Sequence, residues 1–474
     1  MSKASKRPDL IDAVEVFQPD GVAELDLYQK REKIYTRATK GFFQRLRVYT
    51  GWPLLLGYFI LPWINWNGRQ SVLFDLPERQ FHILNFTFWP QDFYLLAGVL
   101  IIAAYGLFTV TSWLGRVWCG YTCPQTVWTA IFMWAEQFCE GSRNQRIKRD
   151  AKPMHREKFF RKLAKHTMWV GFALLTGLTF VGYFSPIREM VFVMDLGMWE
   201  VLWIIFFTCA TYLNAGYMRE QVCIYMCPYA RFQSAMFTPD TLIVSYDEKR
   251  GEPRGARKKT DDIEEKGLGA CTDCHICVQV CPTGIDIRDG LQVECISCAL
   301  CIDACDDVMD QMGYERGLIK YTTDHELNGK PRNLLHPRFV AYATVLTVMI
   351  AIFFTAIINR VPLDLDVIRD RDRLFNESSN GMIENSYTIK IMNKSQNAAN
   401  YQIRVEGLEG VVIQGRTTAT VLAGEIAELP LRLQVEREAL KKSNYTITYV
   451  VENLDDENLN AEAESRFIGP SPRR

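Results

Sequence analysis

Residues 271–282 read CTDCHICVQVCP and residues 295–306 read CISCALCIDACD. Each run spaces its cysteines as C-x2-C-x2-C-x3-C: Cys271, Cys274, Cys277 and Cys281 in the first, Cys295, Cys298, Cys301 and Cys305 in the second. In bacterial ferredoxins this spacing lets three thiolates wrap one iron–sulfur cube while the fourth reaches across to the other. The expected pairing is crossed, with Cys271, Cys274, Cys277 and Cys305 on one [4Fe–4S] cluster and Cys295, Cys298, Cys301 and Cys281 on the second. Structural zinc competes, but it favours two C-x2-C pairs across a longer loop over two triplets with trailing cysteines. Disulfides do not suit the cytoplasmic placement argued below. Pro282 turns the chain after Cys281, whereas Asp306 stands at the matching place after Cys305 and leaves that turn less defined.

With 474 residues, 48% of them hydrophobic, and a formal net charge of -1, the chain has room for several domains and no global pull toward nucleic acid. Its mean hydropathy of -0.07 conceals long apolar runs that cancel long charged ones. Five runs, at about 49–66, 93–113, 167–184, 199–213 and 339–358, approach the ~20 apolar residues a helix needs to cross a bilayer. The first follows a long polar segment and has no small-residue cleavage site, so it reads as a span and not as a signal peptide. Lys30, Arg31, Lys33, Arg37, Lys40, Arg45 and Arg47 precede it, and ten Lys and Arg residues from Arg143 to Lys165 separate the second run from the third. The positive-inside rule keeps both segments in the cytoplasm. The loop at 218–338 holds the cysteine runs and is basic near both ends, at Arg219, Arg231, Lys330, Arg332 and Arg338, so it faces the same way. Five spans then put the chain beyond 360 in the periplasm of a Gram-negative-type cell.

A second pattern is duplicated. Cys119, Tyr121, Cys123 and Pro124 read C-x-Y-x-C-P, and 104 residues later Cys223, Tyr225, Cys227 and Pro228 read the same, each after an apolar run. Such a repeat predicts two related units meeting about a pseudo-two-fold axis. Four thiolates gathered there suit Cu(I), zinc or another iron–sulfur cluster, which makes Cys119, Cys123, Cys223 and Cys227 the proposed catalytic or additional redox site. The plainer alternative is four structural cysteines at helix–loop junctions. Cys139 and Cys209 read as packing residues; His275, inside the first cluster loop, reads either as a plain surface histidine or as a hydrogen-bonding group that tunes a cluster potential, the plain reading being preferred. No histidine pairs stand at helical spacing, so haem is not indicated, and no G-x-G-x-x-G run occurs; electrons come from a partner protein, from quinol or through a site the sequence does not reveal.

Beyond 363 the character changes. Apolar residues alternate as Tyr387, Ile389, Ile391, then Tyr401, Ile403, Val405, then Leu429, Leu431, Leu433, then Tyr445, Ile447, Tyr449, with Gly and Asn at the turns between. Period-two alternation predicts an all-β, immunoglobulin-like sandwich of roughly 100 residues. It contains no Cys and no His, which favours protein binding or stabilisation over metal chemistry. The expected fold class is a multi-domain membrane protein. It comprises a cytoplasmic segment (1–48), a four-span α-helical membrane domain (49–237), a charged linker (238–270), an α+β two-cluster ferredoxin module (271–310), a fifth transmembrane helix (339–360) and a periplasmic β-sandwich (363–474).

Five spans, duplicated C-x-Y-x-C-P motifs, a two-cluster insert before the last span and an all-β tail together resemble the cytochrome c oxidase accessory protein family of the FixG, RdxA and CcoG type. The resemblance covers nearly the whole chain. Polyferredoxins of nitrate and nitrous-oxide respiration look similar only to the end of the ferredoxin module. The resemblance implies a cupric reductase of the bacterial inner membrane that supplies Cu(I) for assembly of cbb3-type cytochrome c oxidase. Its two [4Fe–4S] clusters store electrons, copper ions are the substrate, and a copper chaperone or transporter and oxidase assembly factors are the partners. A quinol dehydrogenase subunit and a non-catalytic assembly scaffold are the competing classes. The donor and the oligomeric state stay open, a homodimer included.

Overall fold

The computed structural model describes residues 33–470 except 67, 85, 260, 262–265, 371–372, 379, 396 and 457–458. Lys30 and Arg31, counted above toward the cytoplasmic charge, lie outside the described residues.

Helices form at all five apolar runs: Phe42–Ile60, Phe93–Leu114, Arg156–Val181, Met198–Thr211 and Pro337–Ile358. Among the described residues, three have the length and sustained apolarity to cross a membrane: Phe93–Leu114, Pro337–Ile358, and Met198–Met218, whose last turns are a π-helix. These mark the chain as an integral membrane protein. The other two start with charged turns, Arg45 and Arg47 in one, Arg156 to Lys165 in the other, which dilute their apolar stretch. Pro337–Ile358 buries none of its residues and leaves Val340, Val345, Val348, Ile352 and Phe354 exposed, a surface suited to lipid.

Phe93–Leu114 and Pro337–Ile358 run antiparallel. Trp113 stacks on Phe339 with ring centroids 5.4 Å apart, and at the far end Gly98 lies so close to Phe353 that a Cβ would stand 3.1 Å from the ring. At the Trp113 end, His336 Nε2 donates to the Ser112 carbonyl (3.2 Å), Arg332 donates to the Trp113 carbonyl (3.1 Å) and the Thr241 hydroxyl donates to the Ser112 carbonyl (2.8 Å). These bonds tie down the chain entering and leaving the cysteine-rich module. At the other end the buried carboxylate of Asp92 receives Arg360 at 2.6 Å and Lys394 at 3.4 Å, fastening the C-terminal domain. The module and the C-terminal domain thus sit at opposite ends of helices of 22 residues, about 33 Å at 1.5 Å per residue.

The stretch 238–270 is not a simple tether. Ile243–Tyr246 forms a strand that pairs antiparallel with Ile319–Thr322, and Val244, Tyr246, Leu318 and Ile319 pack into one core with Cys271, Cys277 and Cys295. The module therefore extends past 271–310 on both sides; a four-residue strand inside charged sequence is too short to register as a periodic signal. The loop after the first helix also carries structure, the three-stranded antiparallel sheet Val72–Asp75, Gln80–Ile83 and Phe86–Phe88.

The C-terminal domain forms two sheets. One runs in the order Val412–Gly415, Ile426–Glu436, Met382–Asn393, Leu363–Arg369, with Asn376–Glu377 also paired to Met382–Asn393; the other runs Thr418–Val421, Ala399–Glu406, Asn444–Asn453, Asn460–Ile468. Opposed residues such as Tyr387 and Leu431, or Ile389 and Leu429, turn inward, and the alternating residues read from the sequence make up the core.

Candidate functional site

Each C-x2-C-x2-C loop holds the residues flanking its middle cysteine at positive φ: Asp273 (50°) and His275 (55°) in the first, Ser297 (50°) and Ala299 (59°) in the second. The left-handed region costs a non-glycine residue roughly 1 kcal/mol or more. The same strain at matching places shows that the two loops are wound alike. One cavity is lined by Cys271, Cys274, Cys277 and Cys305; another by Cys281, Cys295, Cys298 and Cys301, with Cys277 on the wall between. The last cysteine of each run therefore crosses to the other loop's cavity. Burial pushes the Cys277, Cys295 and Cys305 thiols up to about 12 and raises Cys298 and Cys301, because a thiolate there loses its hydration. A cationic iron–sulfur core fits such sites, since it replaces the proton and neutralises the buried sulfur.

Among the described residues, no three or more His, Cys, Asp or Glu side chains close in on a single-ion site. The departure at Asp306 also has a structural reason. Pro282 follows the short helix Ile276–Val280 and turns the chain, but Asp306 lies within the helix Leu300–Met312, where a proline would remove a backbone donor. Its carboxylate instead accepts the Gly317 N–H at 3.0 Å.

The C-x-Y-x-C-P motifs are repeated in structure as well as in sequence. The N–H of Cys123 donates to the Trp118 carbonyl and that of Cys227 to the Val222 carbonyl, each at 2.8 Å and each five residues back. Both cysteines are then extended, and Pro124 and Pro228 open the helices Pro124–Glu140 and Pro228–Ala235, where a missing N–H is harmless. Side chains from one unit hold the other. Gln125 donates to the carbonyls of Asn214 (2.9 Å) and Arg219 (3.1 Å), and the fully buried Glu136 accepts Arg219 at 2.7 Å and pairs with Arg146 at 3.2 Å. Gln233, also fully buried, sets its amide 3.8 Å from the Cys119 sulfur and donates to the Tyr229 hydroxyl at 3.2 Å. The Cys119 thiol is pushed up to about 11 by burial and by Cys123, and Cys223 to about 12 by burial and by Cys123, Cys119 and Cys227, so all four sulfurs lie within electrostatic reach of one another.

The first motif rests directly on the second cluster loop. A Cβ on Gly120 would meet the carbonyl oxygens of Ile296 and Ser297 at 2.9 Å and the Cα of Cys298 at 3.0 Å. Tyr121 and Tyr321 share a hydroxyl contact of 3.1 Å, and Tyr321 donates to the Ser297 carbonyl at 2.5 Å. Tyr121 is 5% exposed, but its counterpart Tyr225 is 65% exposed, because only the first motif faces the module. Gly120 in place of the second motif's Ile224 was the signal in the sequence for this contact; Arg116, Gln233 and Asp303 gave none.

The remaining candidates separate. Cys139 packs, its thiol 3.3 Å from the Met168 sulfur, whereas Cys209 is exposed on its helix and does not pack as expected. His275 is half-exposed and its Nδ1 lies 2.7 Å from Arg288, which also binds Asp273 and Asp286.

Known proteins share these features. Residues 218–324 match the family described as "4Fe-4S dicluster domain", which implies two [4Fe–4S] clusters, and residues 353–470 match the one described as "IG-like fold at C-terminal of FixG, putative oxidoreductase". The chain is 38% identical over 435 residues to the nitrogen fixation protein FixG of Rhizobium meliloti, across 83% of either chain. It is 40% identical over 405 residues to protein RdxA of Cereibacter sphaeroides, covering 81% of this chain and 84% of RdxA. To protein RdxB of the same organism it is 40% identical over 422 residues, covering 84% and 88%. A crystal structure of a FixG-related protein from Vibrio parahaemolyticus aligns at 36% identity over 23% of this chain and 97% of that one, with a TM-score of 0.22. Dicluster module, apolar helices and C-terminal β domain together place the chain in the FixG, RdxA and RdxB family of iron–sulfur oxidoreductases.

Proposed function

We propose that this protein reduces Cu(II) to Cu(I) at the cytoplasmic side of the bacterial inner membrane and supplies the product for assembly of cbb3-type cytochrome c oxidase, as its sequence resemblance implies. Cys271, Cys274, Cys277 and Cys305 hold one [4Fe–4S] cluster, and Cys281, Cys295, Cys298 and Cys301 the other. Bound there, these groups supply single electrons at low potential. The chain's own residues set the direction. Cys274, the exposed member of the eight, marks where a reduced one-electron donor protein docks. The backbone at 296–298, pressed against Gly120, marks where electrons leave. Cys119, Cys123, Cys223 and Cys227 form the redox site that receives them, and each Cu(II) takes one electron to become Cu(I) with no bond to carbon made or broken.

The observation that carries this reading is the contact between Gly120 and the Cys298 loop, which gives electrons stored in the module a destination. In the same reading all five helices span the bilayer, with the N-terminus and module in the cytoplasm. The C-terminal sandwich stands in the periplasm to bind a copper chaperone or transporter and assembly factors. The test uses the purified chain, reduced under anaerobic conditions and mixed with Cu(II) and a Cu(I)-selective chelator. Reoxidation of the reduced clusters, read as recovery of their visible absorbance and matched one for one by Cu(I), supports the reading; clusters that stay reduced in the presence of Cu(II) overturn it.

A further inference from the structure

The helix Arg156–Val181 is amphipathic the wrong way round for water. Phe160, Leu163, Thr167, Val170 and Leu174 follow one another at helical spacing on an exposed face, which begins about two turns ahead of the apolar run at 167–184. Lys158 and Lys165, on the same turns, point inward instead. Lys158 donates to the carbonyls of Asp150 (3.1 Å) and Lys152 (2.6 Å), and Lys165 pairs with the buried Glu140 at 3.0 Å. Apolar side chains outward and cations inward are the arrangement of a bilayer-facing helix, so lipid reaches back to Phe160.

At that level the surface opens into a groove of about 570 Å³ lined by Met154, His155, Arg156, Phe159 and Phe160, the two phenyl rings meeting edge to face at 5.6 Å. Residues 148–162 carry seven Lys and Arg against two carboxylates. Both carboxylates are taken. Asp150 accepts Lys33 (2.9 Å), Tyr35 (2.8 Å) and Lys162 (2.8 Å), and Glu157 accepts Arg161 (2.9 Å). Lys148, Lys152 and Arg156 are exposed and, among the described residues, have no carboxylate partner. We infer that this groove binds an anionic phospholipid, with the phosphate diester at Arg156 and Lys152 and the acyl chains along Phe160 and Leu163. A free anion would meet the cations but leave the exposed rings uncovered, and a zwitterionic lipid would cover the rings but bring its own cation to Arg156. An anionic lipid satisfies both halves of the groove. The site lies outside the electron path and stands with or without the copper reading.

The experiment is native mass spectrometry of the full chain, stripped of lipid in detergent and titrated with dioleoylphosphatidylglycerol, dioleoylphosphatidylcholine or inorganic phosphate. Phosphatidylglycerol is expected to bind in preference to the other two. Lys152→Gln/Arg156→Gln, both at exposed positions, is expected to weaken its binding roughly 30-fold. The same loss of charge on the C-terminal sandwich, Lys441→Gln/Lys442→Gln, is expected to leave that binding unchanged. Equal retention of the two lipids, inorganic phosphate bound as strongly as phosphatidylglycerol, or equal weakening in the two double variants overturns the inference. Phosphatidylglycerol binding that appears only after residues 1–32 are removed also overturns it, and assigns the groove to the chain's own N-terminal segment with Asp9, Asp12, Glu15 and Asp20. The comparison of the three probes on the wild type decides the matter even where a variant fails to fold.

Discussion

Arg116 donates to the carbonyl oxygen of Cys295 over 3.1 Å. The same buried guanidinium reaches the Ala230 carbonyl at 2.6 Å and the Val293 carbonyl, so one cation joins the first C-x-Y-x-C-P unit, the helix after the second and a cluster loop. Arg116→Ala leaves three carbonyls without this donor, a loss of about 3 kcal/mol or more. Electron transfer from the module to Cu(II) is expected to slow while the module keeps its iron. Stopped-flow oxidation of the reduced variant, set beside its iron content, checks this; an unchanged rate removes Arg116 as the joint.

Gly120→Ala drives a methyl group into the backbone at 296–298, which cannot swing aside as a side chain would. Overpacking of this kind costs typically 1–3 kcal/mol. The EPR signal of the second cluster is expected to broaden or shift while that of the first stays put. Equal disturbance of both signals contradicts the contact as described.

Acid acts on the opposite end of the molecule. Arg69 lies 2.7 Å from His82 Nδ1, and since arginine only donates, that nitrogen is an acceptor and the ring neutral. Burial, with the Arg69 charge, lowers its pKa from 6.5 to about 4. Between those values the unfolded chain binds a proton that the folded chain refuses, so stability is intact above about 6.5 and is lost as pH falls toward 4. With partial screening by solvent the loss is roughly 2 kcal/mol. Thermal unfolding of His82→Gln is expected to be flatter over that window than the wild type; parallel curves remove His82 as the cause.

Asp303, on the module helix Leu300–Met312, caps the first membrane-proximal helix: its carboxylate accepts the amides of Phe43 (3.1 Å) and Gln44 (2.7 Å). Asp303→Ala is expected to weaken the first turn of Phe42–Ile60 by about 1 kcal/mol. Hydrogen exchange at Phe43 and Gln44 reads this as faster amide loss, with the helix beyond Trp52 unchanged.

Periodicity and spacing carried much of the fold. The sandwich was legible because a period of two places Tyr387, Ile389 and Ile391 on one face over a long strand. Thiol spacing predicts the crossed cysteine sets, and the structure lines one cavity with Cys271, Cys274, Cys277 and Cys305 and the other with Cys281, Cys295, Cys298 and Cys301. The strand Ile243–Tyr246 was not legible, since four residues in a charged stretch carry too little pattern and their partner lies far ahead in the chain. Arg116, Gln233 and Asp303 were invisible for a different reason: their roles come from tertiary neighbours, and a lone Arg, Gln or Asp next to a motif reads as solvated surface. Gly120 stood in plain view as the one small residue in a duplicated motif whose second copy carries Ile224.

Rapid mixing of dithionite-reduced Cys227→Ser with Cu(II), alongside the wild type, tests the central claim most directly. The account predicts that the ferredoxin-type absorbance of the variant is intact and that Cu(I) formation is abolished, because stored electrons have lost their exit. Cu(I) formation at the wild-type rate would contradict it.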